Sequence, residues 1–310
     1  MTIDVVLCAD RGVIRGLATT VRSALEACSV PLNIHVLETG IGVLEQHKLE
    51  RSWEHKNRGR VCFYQVTADK LARFRSTKYL KSKSTYTRYF IAMLPVSVTR
   101  CIYLDTDLLV CRDLAEASEL SLEGNPIAAV PDISVRTRGV WPELRLRLGL
   151  KDERAYFNSG FMIIDLEAWR ANGIEQQLVD LSIAEFDRLD SQDQDALNIV
   201  FEGRTLLLDP AWNTSQYEDP RDLEGRVVHL IGSAKPWHAR YLYRPENPAL
   251  NKRMYDSFYA VLDRTAYAGY RPWNPMGLGV VTEIVTANVP TADMVVGKMR
   301  RTVAKFIRPS

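Results

Sequence analysis

The stretch YLDTDLLV, Tyr103–Val110, sets two carboxylates one residue apart at the end of an apolar run. Burying one unpaired carboxylate is costly, and a second beside it adds like-charge repulsion. Such a pair asks for a neutralising positive charge and for a fold that delivers strand ends to a ligand. Upstream, IDVVLCAD (Ile3–Asp10) reads as a buried strand. GLATTVRSALEA follows as a helix with Leu17, Val21, Ala24 and Leu25 at helical spacing. LNIHVLE is a second strand, LEQHKLERSWEH a helix with a polar face, and RVCFYQV a third strand. This alternation predicts an α/β domain with a mainly parallel sheet flanked by helices. Ligands of such sheets bind beyond the carboxyl ends of strands. Asp10 and Asp105 both fall at such ends.

The pattern continues downstream. STYTRYFIAMLP predicts a helix carrying Tyr86, Tyr89, Phe90 and Met93 and stopped at Pro95. NPIAAVPD and YFNSGFMIIDLEAWR extend the strand–helix order, with Asp165 placed to cap the helix after it. SQDQDALNIVF opens a further helix, and RTLLLDPAWN and RVVHLIGSAKPWH are late strands. From about residue 241 the alternation weakens and prolines accumulate, so the chain divides into a 1–240 domain and a smaller C-terminal helical extension, 241–310. Its 310 residues, 46% hydrophobic and 25% charged, are ordinary for a soluble globular chain. Five cysteines without a CxxC pair give neither a disulfide framework nor a zinc pattern, and three sit in strand-like apolar stretches. Together with the absence of a basic stretch before the first apolar run, this argues against a secretory signal and for a cytoplasmic protein.

The formal net charge of +2 argues against nucleic acid as the main partner. The basic character is local. Residues 295–310, VVGKMRRTVAKFIRPS, hold five basic residues and no acid, with Val296, Met299, Val303 and Phe306 at helical spacing. A basic amphipathic helix of this kind fits an anionic membrane surface. A terminal helix docked on the domain, or plain disorder, accounts for it equally.

Asp105 and Asp107 come first as candidates for chemistry. In an extended backbone, side chains at i and i+2 share a face, so the pair makes a hard-oxygen site for Mg²⁺ or Mn²⁺. The plainer alternative is a turn with both acids solvated. His229 is by itself a core histidine of an apolar strand. However, Gly232, Lys235, Pro236 and Trp237 follow it in a turn-rich segment where a backbone can approach a ligand and a lysine can meet phosphate. An imidazole added to two carboxylates suits Mn²⁺ better than Ca²⁺ or Mg²⁺. Ser191 with Gln194 three residues on is a capping-box pattern, and Asp193 and Asp195 suit the positive end of a helix. Asn158, Ser159 and Gly160 form either a polar turn or a set of groups aimed at a polyhydroxylated ligand. Arg88, on an otherwise apolar helix, is either a surface charge or a phosphate clamp.

An acid after the first strand, then STYTRYF, YLDTDLLV, YFNSGFMIIDLEAWR, SQDQDALN and HLIGSAKPW, in that order, resemble glycosyltransferase family 8 over roughly Ile3–His238. The bacterial lipopolysaccharide galactosyl- and glucosyltransferases look closest. The resemblance implies a GT-A fold and a retaining transferase that moves a hexose from a UDP-sugar to a glycan or glycolipid hydroxyl. It implies that Asp105 and Asp107 are a DxD motif holding Mn²⁺ against the diphosphate, with His229 as the third protein ligand. Gly232 and Lys235 then meet the diphosphate, Arg88 lies near the donor, and Ala9 and Asp10 mark the uridine end. Asn158 and Asp193 surround the donor sugar and reacting centre, Gln194 lies beneath the anomeric carbon, and Asp132 stands on the acceptor side. Arg11 and Gly12 depart from the pattern, since similar bacterial enzymes carry small polar residues there and Gly12 offers the nucleotide no side chain.

Two rivals follow from the residues. YLDTDLL resembles the nucleophile strand of haloacid-dehalogenase-like phosphohydrolases, although there the motif opens the domain and HLIGSAKPW has no place. A catalytically silent sugar-nucleotide-binding protein is the other.

Overall fold

The computed structural model describes residues 2–75, 83–152, 156–218, 222–232, 234–238 and 248–272. Its strands and helices, in chain order, are β1 (Ile3–Asp10), α1 (Ile14–Ala27), β2 (Leu32–Thr39), α2 (Val43–Ser52), β3 (Arg58–Gln65) and α3 (Ala68–Ala72). There follow β4 (Arg100–Leu104), β5 (Leu108–Val110), α4 (Leu114–Glu119), β6 (Ile127–Pro131), α5 (Ile133–Thr137) and α6 (Trp141–Leu148). The series continues with β7 (Phe157–Asp165), α7 (Leu166–Ala171), α8 (Ile174–Ala184), α9 (Asp193–Val200), β8 (Thr205–Leu207), β9 (Thr214–Ser215), β10 (Val227–His229) and α10 (Pro248–Leu262).

Seven strands form the main sheet in the order β3-β2-β1-β4-β7-β6-β8. All neighbours are parallel except those of β7, which runs antiparallel to both β4 and β6. The expected mainly parallel α/β sheet is therefore present. Strands buried on both faces read as unbroken apolar runs, which is why IDVVLCAD and FMIID lack alternation. The aromatic part of the core, with Tyr86, Tyr89, Phe157, Trp169 and Phe201 among its members, packs on one side of the sheet.

A second sheet of three strands, β5-β10-β9, is decisive for the site. RVVHL does not extend the main sheet; β10 runs antiparallel to β5, with His229 opposite Leu108, and parallel to β9, with His229 opposite Ser215. Since β5 begins at the residue after Asp107, this pairing carries an imidazole to the aspartates from far along the chain.

By its internal contacts the chain divides into two units, Met1–Ile231 with Ala260–Ala268, and Gly232–Tyr259 with 269–310. Within the second unit, Trp237 packs on Phe258, ring centroids 5.5 Å apart, and the Tyr259 hydroxyl donates to the Pro236 carbonyl at 3.3 Å. The basic amphipathic segment 295–310 lies outside the described residues.

Three local expectations are corrected. Asp105-Thr106-Asp107 is a turn joining β4 to β5, strands of different sheets, and not extended backbone. The segment Lys83–Met93 is wound as 3₁₀ helix with a kink at Phe90 (φ −90°, ψ 18°), not as one straight helix reaching Pro95. No capping box forms at α9. Its N-cap is Gln192, held at φ +43° without a side-chain cap bond.

Candidate active site

The turn after β4 is anchored at both ends by backbone bonds. The Asp105 N–H donates to the Gly160 carbonyl of β7 at 2.8 Å, and the Leu230 N–H after β10 donates to the Asp107 carbonyl at 2.9 Å. Between these anchors the two carboxylates converge on His229. Its Nε2 lies 3.3 Å from Asp107 Oδ1 and 3.9 Å from Asp105 Oδ2. One ligand atom from each of the three residues lies within 4.8 Å of the others. So the motif pair and the distant histidine do meet, though on a turn rather than along one strand.

Part of the positive charge the pair requires is built in. Arg88 is buried, and its Nη2 donates to Asp105 Oδ1 at 2.8 Å while Nε faces Asp193 Oδ2 at 2.9 Å. Its Nη1 donates to the Ser159 hydroxyl at 2.7 Å and to the Ser159 carbonyl at 3.2 Å. The Tyr103 hydroxyl adds a second donor to Asp105 Oδ1 at 2.7 Å. Burial opposes the charge on Arg88, but Asp105 and Asp193 outweigh it and hold the guanidinium well above its usual pKa. Burial pushes the Asp193 carboxyl above the ordinary carboxylate range, against the pull of Arg88 and of the Thr85 hydroxyl, which donates to Asp193 Oδ1. Arg88 is thus not a surface charge. It bridges the DxD turn to the start of α9.

A donor set of two carboxylates and an imidazole nitrogen suits a hard or borderline divalent cation. Adjacent octahedral ligands about 2.1 Å from an ion stand about 3 Å apart, close to the spacing of Nε2 and Asp107 Oδ1. The imidazole is also oriented for it, because His229 Nδ1 lies 3.0 Å from Asn213 Oδ1, leaving Nε2 toward the aspartates. The residues present fit such an ion.

Beyond His229 a chain of amides runs toward the far side of the cleft. Asn213 Nδ2 donates to Asn158 Oδ1 at 2.8 Å, and Asn158 Nδ2 points to Asp132 Oδ2 at 3.4 Å. Gln194 Nε2 donates to the same Asp132 oxygen at 2.9 Å and to the Tyr156 hydroxyl at 3.3 Å, while its Oε1 accepts from the Ser159 N–H at 3.2 Å. The Tyr156 hydroxyl donates to Asp195 Oδ1 at 2.6 Å, and Asp195, fully buried, is paired with Arg147 at 2.9 Å. Asp132, Tyr156, Arg147, Ser191 and Gln194 line one cavity of about 270 Å³. Asp132, Asn158 and Asn213 line a smaller one of about 110 Å³.

Ala9 is buried at the end of β1, and Asp10 closes it, its Oδ1 accepting from the Gly12 N–H at 2.7 Å. Gly232 (φ +109°) and Lys235, whose N–H donates to His238 Nδ1 at 3.2 Å, belong to the second unit and are described within it.

Residue reading alone passes over Asn213, Tyr156 and Asp195 as parts of the site, and leaves Gly160 undecided. A Cβ on Gly160 would lie 2.3 Å from His229 Cε1 and 2.7 Å from Nδ1, so only glycine leaves room for the imidazole. A glycine inside a strand often marks such an approach, and that signal was available in FNSGF. Asn213 has none, since only the pairing of β9 with β10 brings it to His229.

Comparison with known proteins bears on this geometry. The family model described as Glycosyl transferase family 8 matches residues 4–240. The chain is 30% identical over 218 residues to General stress protein A of Bacillus subtilis (strain 168), covering 63% of this chain and 68% of that protein. It is 28% identical over 207 residues to Lipopolysaccharide 1,2-glucosyltransferase of Escherichia coli (strain K12), covering 61% and 59% respectively. The crystal structure of galactosyltransferase LgtC in complex with donor and acceptor sugar analogs superposes with a TM-score of 0.71 at 25% identity, covering 83% of this chain and 96% of that one. The seven-stranded sheet with its helices is the GT-A fold of these neighbours.

Proposed function

The chain belongs to glycosyl transferase family 8, and from that premise we propose that it moves a hexose, glucose or galactose, from a UDP-sugar to a hydroxyl of a saccharide or lipid-linked glycan, with retention and with a divalent cation, Mn²⁺ or Mg²⁺. The observation that carries this reading is the convergence of Asp105, Asp107 and Nε2 of His229 where β4 of the main sheet leads into β5 and β10 of the second.

When bound, the cation supplies Lewis-acid charge for the departing diphosphate. Asp105, Asp107 and His229 would hold it, and Arg88 and Tyr103 fix the Asp105 carboxylate by donating to its Oδ1. Gly232 and Lys235 are assigned to the diphosphate from their motif, where fixed positive charge helps most as charge develops. Ala9 and Asp10 are assigned to the nucleoside. The Gln194 amide is held between an obligate donor, the Ser159 N–H, and an obligate acceptor, Asp132. It is neutral and weakly basic, so its role is to set a fixed dipole beneath the cationic sugar carbon, not to form a covalent bond. Asn158 and Asp193 hold the surrounding groups, and Asp132 faces the cavity assigned to the acceptor.

A relative named for lipopolysaccharide glucosyl transfer supports a glycolipid acceptor. No helix among the described residues is long and apolar enough to cross a membrane. The five free cysteines support a cytoplasmic site of action. Contact with an anionic membrane through 295–310 belongs to the same proposal. Deletion of 295–310 should abolish sedimentation with anionic liposomes, and unchanged sedimentation refutes it.

The test of the function is a panel of UDP-sugars with Mn²⁺, scored for UDP release and for protection from thermal unfolding. Release with one hexose donor, lost in EDTA and in Asp107→Asn, is expected. Protection without release identifies a silent binding protein, and release that persists in EDTA overturns the metal-dependent reading.

A further inference from the structure

We propose that Asn213 is a positioning residue for His229, fixing which imidazole nitrogen is offered to the cation. This role rests on the metal site proposed above. Amide orientation is ordinarily a matter of assignment, but here both ends of the chain determine it. Asn158 Oδ1 accepts from the Gly160 N–H at 3.0 Å, a backbone group that can only donate. Asn158 Nδ2 points to the Asp132 carboxylate, which can only accept when ionised. Asn158 therefore presents its oxygen to Asn213, which must answer with Nδ2 and turn Oδ1 to the imidazole. Nδ1 then carries the proton and Nε2 presents its lone pair to the space between Asp105 and Asp107.

Two further observations say that the arrangement is held and not incidental. Asn213 and His229 are both buried, so water does not readily replace the bond. Gly160 leaves the ring the room it occupies, since any Cβ there would overlap it. Metal-ligating histidines commonly donate the other ring N–H to a carbonyl or carboxylate, and removal of that partner typically weakens metal affinity about 10–100-fold.

The experiment is titration of Mn²⁺ into the full chain with UDP present, with free Mn²⁺ read by electron paramagnetic resonance, and thermal unfolding of the metal-free chain alongside. His229→Ala should lose most of the affinity. Asn213→Ala should weaken it about 10–100-fold. Asn213→Asp keeps an acceptor for the Nδ1 proton but offers no donor to Asn158 Oδ1; it should bind Mn²⁺ nearly as the wild type while melting lower. If Asn213→Ala does not fold, Asn213→Ser, too short to reach Nδ1, carries the same comparison. Wild-type affinity in Asn213→Ala, or equal weakening in the alanine and aspartate variants, overturns the positioning role alone. If the wild type binds no Mn²⁺, or His229→Ala binds as the wild type does, the metal site itself fails and this inference with it.

Discussion

Asp105 is held against the repulsion of Asp107 by Arg88 and Tyr103, whereas Asp107 faces the Nε2 lone pair of His229, an arrangement that a cation between them would neutralise. Of this, the sequence shows the acids and leaves open what compensates them; Arg88 alone fits a surface charge as well as a buried bridge, and the difference lies in packing 17 residues away along the chain. Removing the guanidinium strands the buried Asp193 and takes a partner from the partly buried Asp105, so Arg88→Met is expected to cost about 3 kcal/mol, measured by urea unfolding of the metal-free chain. Arg88→Lys should restore little of it, since one ammonium cannot satisfy Asp105, Asp193 and Ser159 together. At Gln194 the expected effect is on turnover instead. Gln194→Ala removes one oriented dipole and should lower kcat about 10²-fold, read as UDP release at saturating donor. Trapping of a sugar–enzyme adduct in the wild type would overturn this dipolar role.

At the scale of elements, β7 and the start of α9 depart furthest from what periodicity and capping rules suggest. NSG reads as either turn or ligand cluster, yet it is the beginning of a strand whose backbone anchors Asp105 and whose missing Cβ admits His229. Ser191 and Gln194 have capping-box spacing, yet Gln194 turns toward β7 and Asp132, and the Ser191 N–H donates to Asp195 Oδ2 at 3.0 Å. Local rules misjudge this helix start because tertiary partners compete for the same side chains and win, as happens most often at functional sites. Asp195 makes the point: spacing suits it to a helix dipole, but it is buried between Arg147 and Tyr156. Asp195→Asn should therefore destabilise by about 1.5–3 kcal/mol, the worth of hydrogen bonds to a charged group. Tyr156→Phe removes both the bond to Asp195 and the link to Gln194, so kcat should fall beyond what the lowered melting temperature accounts for. Equal loss in both measures for Tyr156→Phe would assign that ring to packing alone.

For the molecule as a whole, the alternation of strands and helices was readable because doubly buried strands and amphipathic helices leave opposite signatures. The division into two sheets was not, because β5, β9 and β10 are three residues or fewer and carry no period. Equally hidden is the return of Ala260–Ala268 to the first unit, where Arg264 donates to Glu26 of α1 at 2.9 and 2.5 Å. Burial works to raise the Glu26 carboxyl, but the bonds from Arg264 and Arg22 outweigh it and hold it below its ordinary 4.5. Asp4 is likewise lowered from 3.8, burial being outweighed by bonds from His35 and Asn33. Groups lowered on folding add stability above their unfolded pKa and lose it as the pH falls through the folded value. Asp193 and Glu175, raised mainly by burial, act in the opposite sense and are relieved on acidification. The contribution of Glu26 should accordingly be whole at pH 7, begin to fall below about pH 5 and be lost as the pH drops through its lowered folded value. Because the Arg264 side chain is about half exposed, solvent screening limits it to about 1 kcal/mol or less. Urea midpoints of the wild type and Glu26→Gln should therefore differ at pH 7 and converge as the pH is lowered. A difference that stays constant with pH would mean that Glu26 acts through packing, and that the return segment is held by its apolar contacts and not by this ion pair.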